Sequence, residues 1–322
     1  MLAAYAARTS ADHPLSALEV GELPEPEPRG GWVPVQVRAA ALNHHDLWSL
    51  RGVGLPADRL PMVLGTDAAG VTEDGREVVV HAVVGGPGAP TGQAVAPDEP
   101  RSLLSERYPG TLAERVLVPA ANLVDKPAEL TWAQAACLPT AYLTAFRALF
   151  RTGHAQPGRR VLVQGAGGGF ATAAVQLGVA AGLDVTVTSR DAAKRERARA
   201  LGAADAVETG TRIPRVDLVL ESVGAATWHH TMRSVQDGGT VVVVGATSGD
   251  PSPMEATHLF FREVTVTGAT MGTRDELARL AAFVVRAGIR PVIDSSFALA
   301  DARTAFARLL SGEHTGKVVV LP

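Results

Sequence analysis

The pattern of apolar and polar positions changes near residue 125 of the chain. Before that point, short β-branched runs alternate with Pro and Gly, which is typical of a strand-rich domain. A segment rich in Gly, Pro and small residues, 85–109, is predicted to be a long surface loop. Strands are predicted at 17–20, 32–40, 68–71, 77–82 and 113–118, and a short helix closed by Gly52 follows the second of them.

After residue 125, apolar helical segments alternate with β-branched runs. This alternation predicts an α/β domain with a doubly wound parallel sheet. Its predicted strands are 160–163, 184–188, 206–207, 216–220, 240–244 and 264–267, and its helices are 131–150, 172–181, 194–201 and 226–235. The tail carries a helix at 274–287, a strand at 291–297, a helix at 300–310 and a strand at 317–320, and we expect it to return to the first domain.

A glycine-rich turn follows the first strand of this alternating region, and the helix 172–181 comes directly after it. Such a turn leaves backbone N–H groups at a helix N-terminus, where they favour a diphosphate. The register starting at Gly165 fails a dinucleotide fingerprint because Phe170 stands at its third position. The register Ala166-x-Gly168-x-x-Ala171 fits a relaxed form with small residues throughout. The alternative is a purely structural turn.

The end of the second strand of the βαβ unit indicates which cofactor binds. An NAD site has an acid at this point, on the ribose 2′-hydroxyl. Here the strand ends in Ser189 and Arg190, with Lys194 one helical turn on, and a hydroxyl with two cations suits a 2′-phosphate. Asp191 is the nearest acid and equally fits a helix cap. The pattern therefore favours NADP(H) over NAD(H), unless these cations only solvate the helix.

Composition narrows the function classes. The chain has 322 residues, 46% of them hydrophobic and 20% charged, with a net charge of −3, which gives no reason to expect nucleic-acid or membrane partners. One cysteine, Cys137, excludes a disulfide framework and a multi-cysteine zinc site. The N-terminus lacks a long apolar segment and no apolar run reaches 18 residues, so we expect a cytoplasmic protein.

Several motifs resemble, in order and spacing, those of the medium-chain dehydrogenase/reductase superfamily, in its zinc-independent, quinone-oxidoreductase-like branch. Besides the glycine turn they are ALNHHDL (41–47), LGTDAAG (64–70), GTLAER (110–115), AACLPTAYLTA (135–145), GATSG (245–249) and GKVV (316–319). The resemblance implies a GroES-like, β-rich catalytic domain (1–125 and 272–322) beside a Rossmann cofactor domain (126–271), with the active site between them. It also implies a homodimer joined through the strand at 263–267.

The resemblance further assigns site residues. The catalytic residues it implies are Asn43, His45 and Thr66. It also implies contacts with the cofactor, which include the glycine turn and the residues after the second strand. These contacts are Thr144, Ala166, Gly167, Gly168, Gly169, Phe170, Ser189, Arg190, Lys194, Val223, Gly245, Ala246, Thr247, Phe261 and Lys317.

The same alignment bears on zinc. The catalytic zinc ligands of metal-dependent relatives match Asn43, Thr66 and Thr140, none of which is a good zinc ligand. The four-cysteine structural lobe would fall within 85–109, which has no cysteine. Adjacent His44 and His45 diverge and cannot easily hold one ion together. No metal is therefore expected.

Without a metal, the expected acceptor is already electrophilic: a quinone or an α,β-unsaturated carbonyl, reduced by hydride from NADPH. His45 is a candidate proton donor, with a helix cap or a partner of Asp46 as the alternative role. Trp48 stands where many relatives have a tyrosine, and it has no acidic proton to offer. Two other functions stay open: a 2-enoyl thioester reductase, and an NADPH-binding protein with little turnover.

Overall fold

A computed structural model of the chain describes residues 1–85, 100–251 and 256–322. These form two compact units, one comprising Met1–Leu143 with Met271–Pro322 and the other Thr144–Thr270. The sequence analysis placed the divisions at 125/126 and 271/272 instead. The observed boundary between Leu143 and Thr144 falls within the predicted helix 131–150. This helix forms as successive α- and π-helical segments from Trp132 to Thr152.

Most predicted elements appear within a few residues of their expected bounds. The strands are β1 (Leu2–Ala6), β2 (Leu18–Glu22), β3 (Trp32–Ala41), β4 (Met62–Val63), β5 (Asp67–Thr72), β6 (Glu77–Val80), β7 (Val83–Val84), β8 (Ser102–Leu103), β9 (Arg115–Pro119), β10 (Leu123–Asp125), β11 (Arg160–Val163), β12 (Asp184–Thr188), β13 (Asp205–Val207), β14 (Val216–Glu221), β15 (Val235–Val243), β16 (Thr265–Gly268), β17 (Ile293–Ala298) and β18 (Lys317–Leu321). The α-helices are α1 (His44–Leu50), α2 (Trp132–Ala136), α3 (Leu143–Phe146), α4 (Gly169–Ala180), α5 (Ala192–Ala200), α6 (Trp228–Ser234), α7 (Ala256–Arg262), α8 (Arg274–Arg286) and α9 (Ala302–Ser311).

The first unit is built on a mixed sheet in the order β10-β6-β5-β3-β18-β17, with β9 also paired to β3. The C-terminal tail does return to this unit, as expected, since β18 pairs antiparallel with β3 and parallel with β17. Phe306, Val318 and Val320 from the tail are fully buried in the same core as Val35 and Leu64. The tail is therefore an integral part of the unit.

The second unit is a parallel sheet in the order β13-β12-β11-β14-β15-β16. Counted along the chain, this is the order 3-2-1-4-5-6 of a dinucleotide-binding sheet. The strand order reverses between β11 and β14, because β12 and β13 are added on one side of β11 and β14 to β16 on the other. Ligands of such sheets bind at the carboxyl ends of the strands beside this switch point. The doubly wound sheet predicted from the sequence is confirmed.

The prediction of a surface loop at 85–109 is wrong where the structure describes it. Ser102–Leu103 form β8 against β7, and Leu104 is buried in the core of the first unit. The remainder of that prediction, 86–99, lies outside the described residues. Within the part of the chain that is described, no helix has the length and apolarity needed to cross a bilayer.

Candidate functional site

A buried polar cluster in the first unit joins residues that are distant in the sequence. Asn43 ends the connection from β3 into α1, Thr66 precedes β5, Thr140 lies in the π-helical turn after α2, and Lys317 opens β18. The Asn43 Nδ2 lies 3.1 Å from the Thr66 Oγ1, which lies 3.0 Å from the Thr140 Oγ1. The three positions that match zinc ligands in metal-dependent relatives therefore come together, bonded to one another.

The charged groups in this cluster are the Lys317 ammonium and the Asp67 carboxylate, which form an ion pair. The Lys317 Nζ donates to the Leu42 carbonyl at 2.7 Å, to the Asn43 Oδ1 at 2.5 Å and to the Asp67 Oδ2 at 2.9 Å. The side chains of Lys317 and Asp67 are 2% and 0% exposed. The role predicted for Lys317 as a cofactor contact stays a prediction, and its ammonium already has three oxygen partners within this unit.

The donor set of the cluster does not fit zinc. Zinc in proteins takes thiolate, imidazole or carboxylate ligands in a tetrahedral arrangement. Asn43, Thr66 and Thr140 offer one carboxamide and two hydroxyls, and these groups use their polar atoms on each other. Burial raises the pKa of Cys137 to about 12, which keeps that thiol protonated, and it donates to the Ala133 carbonyl. Among the described residues, no group of three or more His, Cys, Asp or Glu side chains could hold a metal ion.

The adjacent histidines diverge, as expected. The Nε2 of His45 lies 3.0 Å from the Glu106 Oε1, whereas the His44 ring lies 6.3 Å from that of His314. Burial lowers the pKa of His45, but the Glu106 hydrogen bond and the charges of Asp46, Glu106 and Asp67 outweigh it and raise the pKa above its usual value. Burial, with the charges of Lys317 and Arg51, lowers the pKa of His44.

The hydrogen-bond partner of His45 is Glu106, which the sequence analysis did not identify. A partnership with Asp46 was one alternative role for His45, but the Asp46 carboxylate accepts from the backbone N–H groups of Asn43 at 2.8 Å and Gly65 at 3.1 Å. Asp46 thus ties the start of α1 to the segment that carries Thr66, and burial raises its pKa to about 6. Glu106 was missed because the segment around it was predicted to be a surface loop.

The glycine turn of the second unit (165–169) lies between β11 and α4, as predicted. Gly165 has φ +88°, a left-handed conformation that favours glycine. Gly168 is the N-cap of α4 and has no side chain to cap the first N–H groups. A Cβ added at Gly168 would meet no atom within 4 Å, whereas one at Gly167 would lie 2.5 Å from the Lys194 Cδ. The turn thus leaves open space beside free backbone donors, which fits a diphosphate, and Lys194 crosses it.

The end of β12 also agrees with a 2′-phosphate. Asp191 caps α5, because its Oδ1 accepts from the backbone N–H groups of Ala193 at 2.8 Å and Lys194 at 3.3 Å. Its carboxylate therefore serves the helix. Arg190 is exposed and makes no hydrogen bond or ion pair to another described residue. The Ser189 hydroxyl accepts from the Asp191 N–H.

Across the switch point from the glycine turn, Glu221 holds the loop after β14. Its buried carboxylate accepts from the backbone N–H groups of Val223 and Gly224 and from the hydroxyls of Thr227 and Thr231, at 2.6–3.0 Å. The Ser248 hydroxyl donates to the Val223 carbonyl at 2.7 Å. This fixes Val223 beside the segment of Gly245, Ala246 and Thr247. Glu221 directly follows the predicted strand 216–220, and its role in shaping the loop was not predicted.

Two predicted cofactor contacts lie on helices rather than in the loops after the strands. Thr144 is half-buried in α3, and Phe261 is 79% exposed on α7 with its ring centroid 4.5 Å from that of Phe260. The assignments of Thr144, Val223, Gly245, Ala246, Thr247 and Phe261 to the cofactor stay predictions.

Comparisons with known proteins agree with this architecture. Residues 29–128 match a family model described as an alcohol dehydrogenase GroES-like domain, and residues 199–320 match one described as a zinc-binding dehydrogenase. A crystal structure of an NAD-dependent alcohol dehydrogenase is 31% identical and superposes with a TM-score of 0.90, and the match covers 100% of both chains.

Two curated relatives are similar over nearly their whole length. A zinc-type alcohol dehydrogenase-like protein of Schizosaccharomyces pombe is 28% identical over 90% of this chain and 90% of its own. An acryloyl-coenzyme A reductase of Sulfurisphaera tokodaii is 27% identical over 96% of this chain and 98% of its own. The expected pair of a GroES-like and a Rossmann domain is confirmed, in a family of oxidoreductases that use nicotinamide cofactors. The chain belongs to the medium-chain dehydrogenase/reductase superfamily.

Proposed function

We propose that this protein is an NADPH-dependent, zinc-free reductase whose acceptor is a quinone or an α,β-unsaturated carbonyl. The observation that supports it most is the cluster of Asn43, Thr66 and Thr140, which fills the zinc-ligand positions with mutually bonded amide and hydroxyl groups. Oxidation of a simple alcohol needs a means of stabilising alkoxide, which zinc supplies in metal-dependent relatives. A conjugated acceptor spreads the negative charge over several atoms, so hydrogen-bond donors alone can stabilise it.

The residues of the first unit supply orientation, donors and a proton. Reduced nicotinamide, when bound, supplies the hydride. Asn43 and Thr66 are held by Lys317 and by each other, so the hydrogen-bonded cluster is in place before charge develops on the acceptor. The hydrogen bond to Glu106 keeps His45 protonated to a higher pH than an isolated imidazole, and its proton can neutralise the reduced product.

The residues around the glycine turn support NADPH over NADH. Arg190 lies two residues after β12 and Lys194 lies in the first turn of α5, near the strand end where the 2′-substituent of an adenine ribose binds in this fold. Asp191, the nearest acid in the sequence, caps α5 through its Oδ1, which favours a helix cap over a ribose contact as its role.

A second candidate acceptor is a 2-enoyl thioester. The similarity to an acryloyl-coenzyme A reductase over 96% of the chain favours it. Its conjugated C=C–C=O group makes the same demand on the donor cluster, so the two acceptors differ only in what lies beyond the reacting atoms.

Absorbance at 340 nm distinguishes these functions directly. NADPH oxidation is followed with a panel of quinones, a panel of simple enones and crotonyl-CoA, each repeated with NADH. We expect turnover with a quinone or an enone, and a strong preference for NADPH. Turnover confined to the thioester would favour the second candidate. Tight NADPH binding without turnover on any acceptor would indicate a binding protein and contradict the proposal.

We also propose a homodimer formed through β16. This strand is the last of its sheet, so one of its edges has no strand partner among the described residues. The exposed Phe260 on the preceding helix lies 62% open to solvent. Sedimentation equilibrium would test the proposal: a mass of twice 33.4 kDa supports it and the monomer mass contradicts it.

A further inference from the structure

One direction of the hydrogen bonds in the buried cluster gives every hydroxyl proton an acceptor. An ammonium group has donors and no acceptor, so the Asn43 atom that Lys317 contacts at 2.5 Å must be the amide oxygen. This fixes the orientation of the amide, and the Nδ2 therefore faces Thr66 and donates to its Oγ1 at 3.1 Å.

The hydrogen bond between Thr66 and Thr140 also has a direction. A hydroxyl has one proton, and the Thr66 oxygen already accepts from Asn43. Its hydroxyl neighbour on the other side is the Thr140 Oγ1 at 3.0 Å, and either oxygen could accept there. Thr140 also contacts the Met271 sulfur, so the arrangement that gives both hydroxyl protons an acceptor has Thr66 donating to Thr140. Thr140 then accepts from Thr66 and must direct its own proton elsewhere.

The proton of Thr140 has only a weak partner in the described structure. Besides Thr66, its hydroxyl contacts the Met271 sulfur at 3.9 Å, and a thioether is a poor hydrogen-bond acceptor. Thr140 is also the half-buried member of the series, whereas Asn43, Thr66 and Lys317 are buried. The chain Lys317–Asn43–Thr66–Thr140, which we call the donor chain, thus begins at a buried cation and ends at a hydroxyl that can reach a ligand.

We propose that Thr140 is a catalytic residue that donates a hydrogen bond to the acceptor oxygen, and that Lys317, Asn43 and Thr66 are positioning residues that orient it. The inference rests on the proposed reduction. There, hydride adds to the β-carbon, the C=C electron pair forms a double bond between the α-carbon and the carbonyl carbon, and the C=O electron pair moves on to the oxygen. A proton then gives the neutral product. Thr140 keeps its proton throughout and stabilises the oxygen while it is negative. Its hydroxyl is polarised by the bonds behind it, which lead back to the ammonium.

The variants Thr140→Val, Thr140→Ser and Asn43→Asp distinguish a hydrogen-bond donor from a structural residue at position 140. Thr140→Val removes the hydroxyl at similar volume and should lower kcat about 10- to 100-fold, less than an oxyanion-hole donor in a hydrolase, with little change in NADPH affinity. Thr140→Ser keeps the hydroxyl and should retain most of the rate.

Asn43→Asp tests the direction of the chain itself. A carboxylate still accepts from Lys317, but it cannot donate to Thr66. The Thr66 hydroxyl would then donate to the carboxylate and accept from Thr140, so the Thr140 proton would point inward. Asn43→Asp should therefore lose activity like Thr140→Val, and the double variant should lose little more than either single variant.

A binding measurement keeps the inference separate from the proposed function. The probe is p-nitrophenol, whose phenolate resembles the developing anion and is read by its absorbance. The wild-type protein with NADP⁺ should prefer phenolate over phenol, and Thr140→Val should reduce that preference about tenfold, as expected for one hydrogen bond to a charged group. Thr140→Ser should preserve it.

Failure of the proposed function and failure of the role of Thr140 give different results. No turnover on any acceptor by wild type, with the phenolate preference intact and lost in Thr140→Val, would overturn the proposed function and keep Thr140 as an anion donor. Full turnover by Thr140→Val, an unchanged phenolate preference in that variant, or no phenolate preference in wild type would overturn the role of Thr140.

Discussion

The donor chain and the glycine turn solve opposite problems in the two units of this protein. In the first unit, polar side chains from four distant segments satisfy one another around the buried Lys317 ammonium. In the second unit, backbone N–H groups at the start of α4 have no capping side chain and open space in front of them. In the first site the polar side chains are held by one another before any ligand binds. The second is completed only when an anion binds.

The comparison predicts that damage to the first site destabilises the fold, whereas damage to the second site changes binding alone. The largest effect is expected at Lys317. Lys317→Met would leave the Asp67 carboxylate buried without its cation, and we expect a loss of about 3–5 kcal/mol in the free energy of unfolding. Denaturant unfolding measures it.

A matched control for Lys317 is Arg115, which pairs with Glu25 at 2.8 Å with both side chains about half exposed. Arg115→Met should cost less than about 1 kcal/mol. The double variant Asp67→Asn with Lys317→Met should recover part of the loss, because neither charge is then left alone. An equal, small loss for Lys317→Met and Arg115→Met would show that the buried cluster is not what holds this part of the unit.

The next effect concerns cofactor choice. Arg190→Ala should weaken NADPH binding about tenfold or more, because a charge-assisted contact contributes on the order of 1–3 kcal/mol. NADH binding should stay nearly unchanged. Fluorescence titration with each cofactor measures both affinities. Arg197 is exposed like Arg190 but lies on α5, so Arg197→Ala is the control for the loss of a positive charge. Equal losses for NADPH and NADH would contradict the assignment.

A smaller binding effect without a folding effect is expected at Gly168. Its φ of −71° suits any residue and an added Cβ meets no protein atom, so Gly168→Ala should leave the unfolding free energy within about 0.5 kcal/mol. The methyl group would occupy the space where phosphates approach, and we expect NADPH to bind several-fold more weakly. Unchanged affinity would place the diphosphate elsewhere.

The smallest effect is a pH dependence within the first unit. The pKa of His45 is raised in the folded state, so the stability from its pair with Glu106 is present below the unfolded pKa and is lost as pH rises through the folded pKa. We expect about 1 kcal/mol, measured as the unfolding free energy from about pH 6 to pH 9. Glu106→Gln should flatten this part of the profile. Asp46, with its pKa raised to about 6, acts in the same direction at lower pH, and that part of the profile should remain.

The same contrast explains what the sequence could predict. The glycine turn is a local motif between a β-branched run and a helix, and β11 and β12 form with the predicted bounds. The donor chain depends on contacts such as that of Lys317 with Asn43, 274 positions apart, which no periodicity reveals. The resemblance could bring Asn43, Thr66 and Thr140 to one place, but only the structure showed how their hydrogen bonds are ordered.

The missed elements have physical reasons of the same kind. β1 has the sequence LAAYA, whose residues favour helix, yet it pairs antiparallel with β2 along its whole length. β8 lies in a Gly- and Pro-rich segment without a clear pattern, and its pairing with β7 decides its structure. Tertiary pairing overrides local preference at both places.

We propose that the first unit stabilises negative charge by its donor chain and without a metal. The most direct test is turnover of the purified protein with NADPH and its best acceptor before and after dialysis against EDTA, together with zinc analysis of the same samples. We predict well under one zinc per chain and unchanged turnover. Stoichiometric zinc that is lost from Asn43→Ala and Thr66→Val variants, with activity that disappears on dialysis and returns with zinc, would contradict the account.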